Sequence, residues 1–228
     1  MNLFAVVPAA GSGQRMGTGL PKQYLALQGR KVIDWSVRSL LRQPDIQRVV
    51  VVLASRDPHW QTTQVHDDPR VCTTVGGSER AISVLEGLKA LRVQAKETDW
   101  VLVHDAARPC VREADIQRLV EQMGQGNGIV LGAPVIDTMK RTDAAGHILG
   151  TVDRNHLWRA FTPQLFPLGL LCKALEDALS AGVTVTDEAS AMEWAGYQLS
   201  MLEGASSNIK ITRPEDLELA AFYLSHRL

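Results

Sequence analysis

The feature of the sequence that most constrains its fold is an alternation of short apolar runs with segments of helical periodicity. Runs rich in β-branched residues and bounded by turn residues predict strands that are buried on both faces. Such runs occupy residues 3–7, 49–53, 101–103 and 129–131. Apolar residues at helical spacing occupy residues 32–41, 81–91 and 116–123. Because strands and helices alternate, we expect an α/β fold with a Rossmann-like, mostly parallel sheet flanked by helices on both faces.

Residues 135–154 interrupt this alternation, because they are more polar than their neighbours and contain a turn signal near residues 143–146. They predict a β-hairpin arm that leaves the main sheet, although an ordinary surface hairpin would have the same composition. The rest of the chain predicts helices at 168–181 and 187–195, the second with Thr186 as its N-cap, a strand at 208–212, and a last helix from Pro214 to about His226. The sequence contains no repeat and no linker, so we expect one domain over residues 1–228.

The bulk properties exclude several classes of protein. A net charge of −1 provides no basic field for binding a long nucleic acid. The three cysteines are widely spaced and never form a CxxC pair, which argues against a disulfide framework or a zinc site. Pro8 interrupts the first apolar run, and no segment approaches the roughly 20 apolar residues of a membrane span. We therefore expect a soluble cytoplasmic protein that binds neither nucleic acid nor a membrane.

A glycine loop follows the first predicted strand and reads PAAGSGQRMGTGLPK. Ligands of open α/β sheets bind at the carboxyl ends of the strands, where small residues let backbone N–H groups approach phosphate oxygens. The loop is neither a dinucleotide fingerprint, because Met16 stands where the third glycine would be, nor a P-loop. It carries two cations, Arg15 and Lys22, which suit a triphosphate. The alternative is a solvated loop whose cations are incidental.

The order of motifs along the chain resembles that of one family. AAGSGQRM and PKQYLALQG are followed by GGSERAISVLEGL, HDAARP, DTMKRT, LWRAFTPQLF, TDEASAMEW and NIKITRPEDL. This order is similar to that of the 2-C-methyl-D-erythritol 4-phosphate cytidylyltransferases of the non-mevalonate isoprenoid route. The resemblance covers nearly the whole chain and implies a fold of the nucleotide-diphospho-sugar transferase type. It also implies CTP as a substrate, Mg²⁺ as a cofactor, and a homodimer formed through the arm at about residues 135–155.

Two loops are candidates for binding the nucleotide. The glycine loop would hold the phosphates with Ala10, Gly11, Ser12 and Gly13. A second loop, containing Gly77, Ser78 and Ser83, precedes a predicted helix and could receive a flat ring, although it could equally be a turn capped by Ser78. The resemblance implies that Ala9, Gly77, Ser78 and Ser83 border the cytosine base.

Asp105 follows the predicted strand 101–103, where a carboxylate is well placed to hold Mg²⁺ on a nucleotide. It could also simply end the strand in solvent. The resemblance implies that Asp105 lies near both the metal and the acceptor substrate, with Arg108 beside it at the acceptor site. His104 is expected to be structural, since attack by an ionised phosphate needs no base.

The remaining candidate residues are far apart in the sequence, and residues of these types are usually part of the surface. They are Thr138, Arg154, Thr162, Thr186 and Lys210. The resemblance implies that they line the acceptor phosphate or the triphosphate. It also implies that Arg154 reaches across the homodimer interface.

These observations predict a reaction in which the phosphate of methylerythritol phosphate attacks the α-phosphorus of CTP and pyrophosphate leaves. Two anions must meet, so catalysis requires positioning and charge stabilisation. The expected catalytic residues are Arg15, Lys22, Asp105 and Lys210. One alternative is a cytidylyltransferase for another polyol phosphate, such as ribitol 5-phosphate, and another is a non-catalytic nucleotide-binding protein. A nicotinamide dehydrogenase is disfavoured by the failed fingerprint.

Overall fold

A computed structural model of the chain describes residues 1–11 and 19–226. Its strands are Leu3–Pro8 (β1), Ala26–Leu27 (β2), Arg30–Lys31 (β3), Ile46–Leu53 (β4), Val71–Val75 (β5), Trp100–Val103 (β6), Ile129–Pro134 (β7), Met139–Thr142 (β8), Ile148–Val152 (β9), Trp158–Pro167 (β10) and Ser200–Glu203 (β11). Its α-helices are Val32–Leu41 (α1), Arg80–Leu91 (α2), Glu113–Val120 (α3), Leu168–Ser180 (α4), Glu188–Trp194 (α5) and Pro214–Ser225 (α6).

The main sheet has seven strands in the order β11-β7-β10-β6-β1-β4-β5. β1 pairs in parallel with β4 and β6, and β4 with β5, while β11 pairs in parallel with β7. β10 is antiparallel to both of its neighbours, β6 and β7. The predicted α/β fold with a mostly parallel sheet is therefore confirmed.

Side chains alternate between two apolar layers because successive residues of a strand point to opposite faces. In β1, Leu3, Ala5 and Val7 belong to the cluster that packs under α1 and α3. Phe4 and Val6 belong to the cluster under α2, α4 and α5. Helices thus cover both faces, and the carboxyl ends of β1, β4, β5 and β6 meet at one edge of the sheet.

Several predicted boundaries agree closely with the structure. The predicted helix at residues 32–41 has the same bounds as α1, and the four predicted strands lie within β1, β4, β6 and β7. The helix predicted at residues 116–123 begins earlier and ends earlier, at Glu113 and Val120, because residues 121–124 form a turn.

Two local predictions are wrong. The segment 208–212 is not a strand: it lies beside the loop after β6, where the Ile211 N–H donates to the Ala107 carbonyl at 2.9 Å. Its apolar character serves a third cluster instead, in which Ile211 packs with residues of α6. The N-cap of α5 is Asp187 rather than Thr186, because the Asp187 carboxylate accepts from the Ser190 N–H at 2.9 Å.

The predicted hairpin is confirmed as a separate two-stranded sheet formed by β8 and β9. Its residues are mostly exposed, including the apolar side chains of Ile136, Ile148 and Leu149. The hairpin connects β7 to β10, and both of these strands belong to the main sheet. Within the described ranges, no helix has both the length and the apolar character needed to cross a bilayer.

Candidate active site

A pocket of about 650 Å³ opens at the edge where the parallel strands end. The segments that border it follow β1, β5 and β6 and precede α6. Nine residues predicted from the sequence line it: Ala9, Ala10, Gly11, Lys22, Gly77, Ser78, Ser83, Asp105 and Lys210. Three others, Ser12, Gly13 and Arg15, lie outside the described residues.

The beginning of the glycine loop is held in place by a residue that sequence reasoning missed. Gln23 is 4 % exposed, and its side-chain amide donates to the carbonyls of Ala9 at 2.7 Å and Gly11 at 3.0 Å. The Ala9 N–H donates in turn to the Val52 carbonyl at 2.8 Å. Because these bonds hold the carbonyl oxygens, they fix the path of residues 9–11 at the pocket wall.

The second loop needs its glycines for close packing. A Cβ on Gly76 would lie 2.6 Å from Ser83 Oγ, and one on Gly77 would lie 2.2 Å from a methyl carbon of Ile82. The Ser83 hydroxyl donates to the Glu79 carbonyl at 3.0 Å. Glu79 is the N-cap residue of α2 and no side chain caps this helix, so the interpretation of Ser78 as a cap is wrong.

The Asp105 carboxylate is the electrostatic centre of the site. Its Oδ1 accepts from Arg80 Nε at 3.0 Å and its Oδ2 lies 2.7 Å from Lys210 Nζ. Arg108 Nε lies 3.8 Å from Oδ2. Burial acts to raise the pKa of Asp105, but the Arg80, Lys210 and Arg108 cations hold that pKa well below its usual range. Asp105 is therefore an ionised carboxylate beside three cations.

A series of hydrogen bonds through Thr162 and His104 holds the backbone of Asp105 in place. The Asp105 N–H donates to Thr162 Oγ1 at 2.9 Å, and the Thr162 hydroxyl lies 3.1 Å from His104 Nδ1. His104 Nε2 lies 3.1 Å from the Arg108 carbonyl. Every group is satisfied when Thr162 donates to Nδ1 and Nε2–H donates to that carbonyl, which requires a neutral imidazole. Burial lowers the pKa of His104 to about 4, although the Asp105 carboxylate opposes this shift.

The buried, neutral His104 makes the stability of the fold depend on pH. In the unfolded protein His104 binds a proton below about pH 6.5, whereas in the folded protein it does so only below about 4. The unfolded state thus binds more protons between these values, and stability falls as the pH is lowered through them. We expect His104 to account for a loss of about 3 kcal/mol in the free energy of unfolding over that interval.

Urea unfolding of the protein without nucleotide or metal at a series of pH values would measure this slope. A His104→Gln variant is the control, since glutamine does not titrate and the difference between the two slopes isolates the imidazole. Equal slopes for both proteins would contradict a neutral buried His104.

The other predicted acceptor residues occupy different positions. Thr162 and Arg108 are 4 % and 9 % exposed and lie behind Asp105, where Arg108 Nη1 donates to the Asn208 carbonyl at 2.7 Å. Thr138, Arg154 and Thr186 are exposed and do not line the pocket. Arg154 donates to the Ile136 carbonyl at the base of the arm. In a single chain, therefore, the described residues predicted to bind the nucleotide lie together in the pocket, whereas Thr138, Arg154 and Thr186 lie outside it.

Two carboxylates line the pocket, the buried Asp105 and the exposed Glu79. In the described part of the chain, no three His, Cys, Asp or Glu side chains are grouped closely enough to form a metal cage. Mg²⁺ is commonly held by one or two carboxylates together with substrate phosphates, so Asp105 at the pocket wall fits this second arrangement.

Comparison with known proteins identifies the relatives of this chain. A sequence-family model described as 2-C-methyl-D-erythritol 4-phosphate cytidylyltransferase matches residues 3–226. Enzymes of that name from Aeromonas hydrophila and Vibrio vulnificus strain CMCP6 are 52 % and 50 % identical to this chain over 225 residues. These alignments cover 99 % and 98 % of this chain, and 90 % and 95 % of the respective relatives.

Solved structures agree with the sequence matches. The crystal structure of the Francisella tularensis 2-C-methyl-D-erythritol 4-phosphate cytidylyltransferase aligns with a TM-score of 0.85 at 33 % identity, covering 98 % of this chain and 100 % of that one. A crystal structure of a 4-diphosphocytidyl-2C-methyl-D-erythritol synthase aligns with a TM-score of 0.84 at 36 % identity, covering 98 % and 99 %.

Proposed function

The chain belongs to the 2-C-methyl-D-erythritol 4-phosphate cytidylyltransferase family, and we propose that it joins CTP to 2-C-methyl-D-erythritol 4-phosphate. The products are 4-diphosphocytidyl-2-C-methyl-D-erythritol and pyrophosphate, in the supply of isoprenoid precursors. The observation that carries the proposal is that Lys22, Lys210 and Asp105 line one pocket together with Ala9, Ala10 and Gly11, which begin the glycine loop.

The chemistry follows from charge. The acceptor phosphate is an anion that attacks the α-phosphorus of CTP, and the departing pyrophosphate is also an anion. Lys22 and Lys210 line the pocket and supply positive charge to the phosphates, as Arg15 of the same loop would. Lys210 Nζ already lies 2.7 Å from Asp105, so a phosphate oxygen beside that carboxylate would find the ammonium within reach. No proton transfer by a side chain is required.

Asp105 is the residue that would hold Mg²⁺, with the nucleotide phosphates supplying the other ligands. When bound, the ion would neutralise phosphate charge and orient the triphosphate. Asp105 would also accept hydrogen bonds from the hydroxyls of the acceptor. Thr162 would then act by holding the Asp105 backbone, in addition to any contact with the acceptor phosphate.

We also propose that the arm forms a homodimer. A two-stranded sheet is marginally stable alone, and Ile136, Ile148 and Leu149 leave it with an exposed apolar surface that a second copy would cover. Arg154, at its base, would then reach the acceptor site of the partner subunit. A mass equal to one chain by light scattering would contradict this.

We further propose that residues 1–228 form a single domain. We also propose that the protein acts in the cytoplasm. No disulfide joins its three cysteines, which fits a reducing compartment. Separately stable fragments after limited proteolysis would contradict the single domain.

The reaction is tested by measuring pyrophosphate release from CTP and Mg²⁺, with methylerythritol phosphate and ribitol 5-phosphate as parallel acceptors. We expect release only with the first acceptor, and no release when ATP replaces CTP. Release only with ribitol 5-phosphate would keep the chemistry and replace the acceptor. No release with either would leave a nucleotide-binding protein without this activity.

A further inference from the structure

Glu188 is a fully buried carboxylate to which the proposed reaction assigns no role. It is the first residue of α5, and its side chain has no exposed surface. Its two oxygens accept from Arg80, with Oε1 at 2.7 Å from Nη1 and Oε2 at 3.0 Å from Nη2. Burial raises the pKa of Glu188 and Arg80 opposes the rise. Because both oxygens act as acceptors in a bidentate pair, Glu188 is ionised here.

The same guanidinium also holds Asp105. Arg80 Nε donates to Asp105 Oδ1 at 3.0 Å, and Nη2 lies 2.9 Å from the same oxygen. Arg80 begins α2, so one side chain joins α2 to the start of α5 and to the loop after β6. A guanidinium is planar, and its N–H groups have fixed directions. The plane set by Glu188 therefore determines the direction from which Arg80 approaches Asp105.

The Glu188 carboxylate also matters through its negative charge, because it faces the Arg80 cation. Arg80 lines the pocket beside Lys210 and Lys22, where the phosphates of the nucleotide would lie. Glu188 neutralises the Arg80 charge and accepts hydrogen bonds from two of its nitrogens, Nη1 and Nη2. Without this anchor, the Arg80 guanidinium would no longer hold the Asp105 carboxylate in one direction.

We propose that Glu188 is a positioning residue for the transfer reaction, which orients the Asp105 carboxylate at the pocket wall by fixing the Arg80 guanidinium. The inference rests on the proposed function, in which Asp105 takes part directly. Glu188 itself has no exposed surface and would contact no substrate.

A Glu188→Gln variant tests the proposal, because glutamine keeps the shape and removes the charge. We expect kcat to fall about 10–100-fold, as for other residues that orient a ligand of a site. The affinity for CTP measured without acceptor should change little, since Glu188 does not contact the pocket. A Glu193→Gln variant, on the exposed side of the same helix, should keep the wild-type kcat.

A double-mutant cycle separates positioning from a general structural role. If Glu188 acts through Asp105, then Glu188→Gln should have little further effect on kcat in an Asp105→Asn background. The same fold-loss in both backgrounds would overturn the proposal, as would a wild-type kcat for Glu188→Gln.

A second variant covers the case in which Glu188→Gln does not fold. Combining Arg80→Met with Glu188→Leu removes both charges and leaves neither buried alone. We expect this variant to fold and to lose at least 10-fold in kcat, about the lower bound for such orienting residues. A wild-type kcat would overturn the proposal. Absence of release by the wild-type protein would instead contradict the proposed function, so the two failures are distinguishable.

Discussion

An Asp105→Asn variant is expected to lose about 10³-fold in turnover and about 3–5 kcal/mol in the free energy of unfolding. Asparagine has the same shape but no charge, and its amide would face the donors of Arg80, Lys210 and Arg108. Lys210 and Arg108 would then lack the carboxylate that offsets their charge, whereas Arg80 would keep its pair with Glu188. Steady-state pyrophosphate release and urea unfolding at pH 7 would measure the two effects.

The sign of the pH dependence provides an internal check. The pKa of Asp105 is depressed in the folded protein, so its stabilisation is present above the unfolded pKa of about 3.9 and is lost as the pH falls below that value. The stability difference between wild type and variant should therefore be full at pH 7 and shrink in acid. The matched control is Asp177→Asn, whose carboxylate forms an exposed pair with Lys173. Near-normal turnover by Asp105→Asn would contradict the central role of this carboxylate.

A Lys210→Ala variant is expected to lose about 10²–10³-fold in kcat/KM, as when one stabilising donor is deleted from an anion site. Lys210 is one of the cations at the pocket wall, and its ammonium lies 2.7 Å from Asp105 Oδ2. The fold should be affected much less than by Asp105→Asn. Arg80 would still pair with Asp105, and the Lys210 side chain is 37 % exposed.

The controls for Lys210 address charge and geometry separately. Lys173→Ala removes an exposed lysine that also pairs with an aspartate, so it should leave kcat/KM unchanged. Lys210→Arg keeps the charge in a bulkier, planar group and should recover part of the activity. Wild-type kcat/KM for Lys210→Ala would exclude this lysine from the stabilisation of the phosphates.

The local pattern of apolar residues predicts those strands and helices whose burial is uniform along their length. The strand within β1 and the helix α1 were predicted because their apolar residues repeat at the period of the structure they adopt. β10 was not predicted, since Thr162, Pro163 and Gln164 interrupt its apolar run. Those residues are buried because β10 lies between β6 and β7, which is a property of the sheet rather than of the segment.

The residues of the candidate site likewise fall into two groups, those that the sequence pattern predicts and those that it does not. Lys22 and Asp105 follow buried strands, so their position at the carboxyl edge could be expected from the sequence. Arg80 and Glu188 are separated by 108 residues, and no spacing rule joins them. Gln23 lies in the PKQY motif beside Lys22, but an amide that bonds two carbonyls has no sequence signal of its own.

The antiparallel position of β10 has a consequence for synthesis on the ribosome. β1, β4, β5 and β6 are complete by Val103 and pair with one another, whereas β7 reaches them only through β10. Until Trp158–Pro167 leaves the exit tunnel, β6 therefore has an open edge and β7 is an apolar strand without its main partner. Unpaired edges of this kind favour aggregation. The nascent chain is thus exposed to misassociation from the time that Val103 leaves the tunnel until Pro167 does, an interval in which the whole arm emerges.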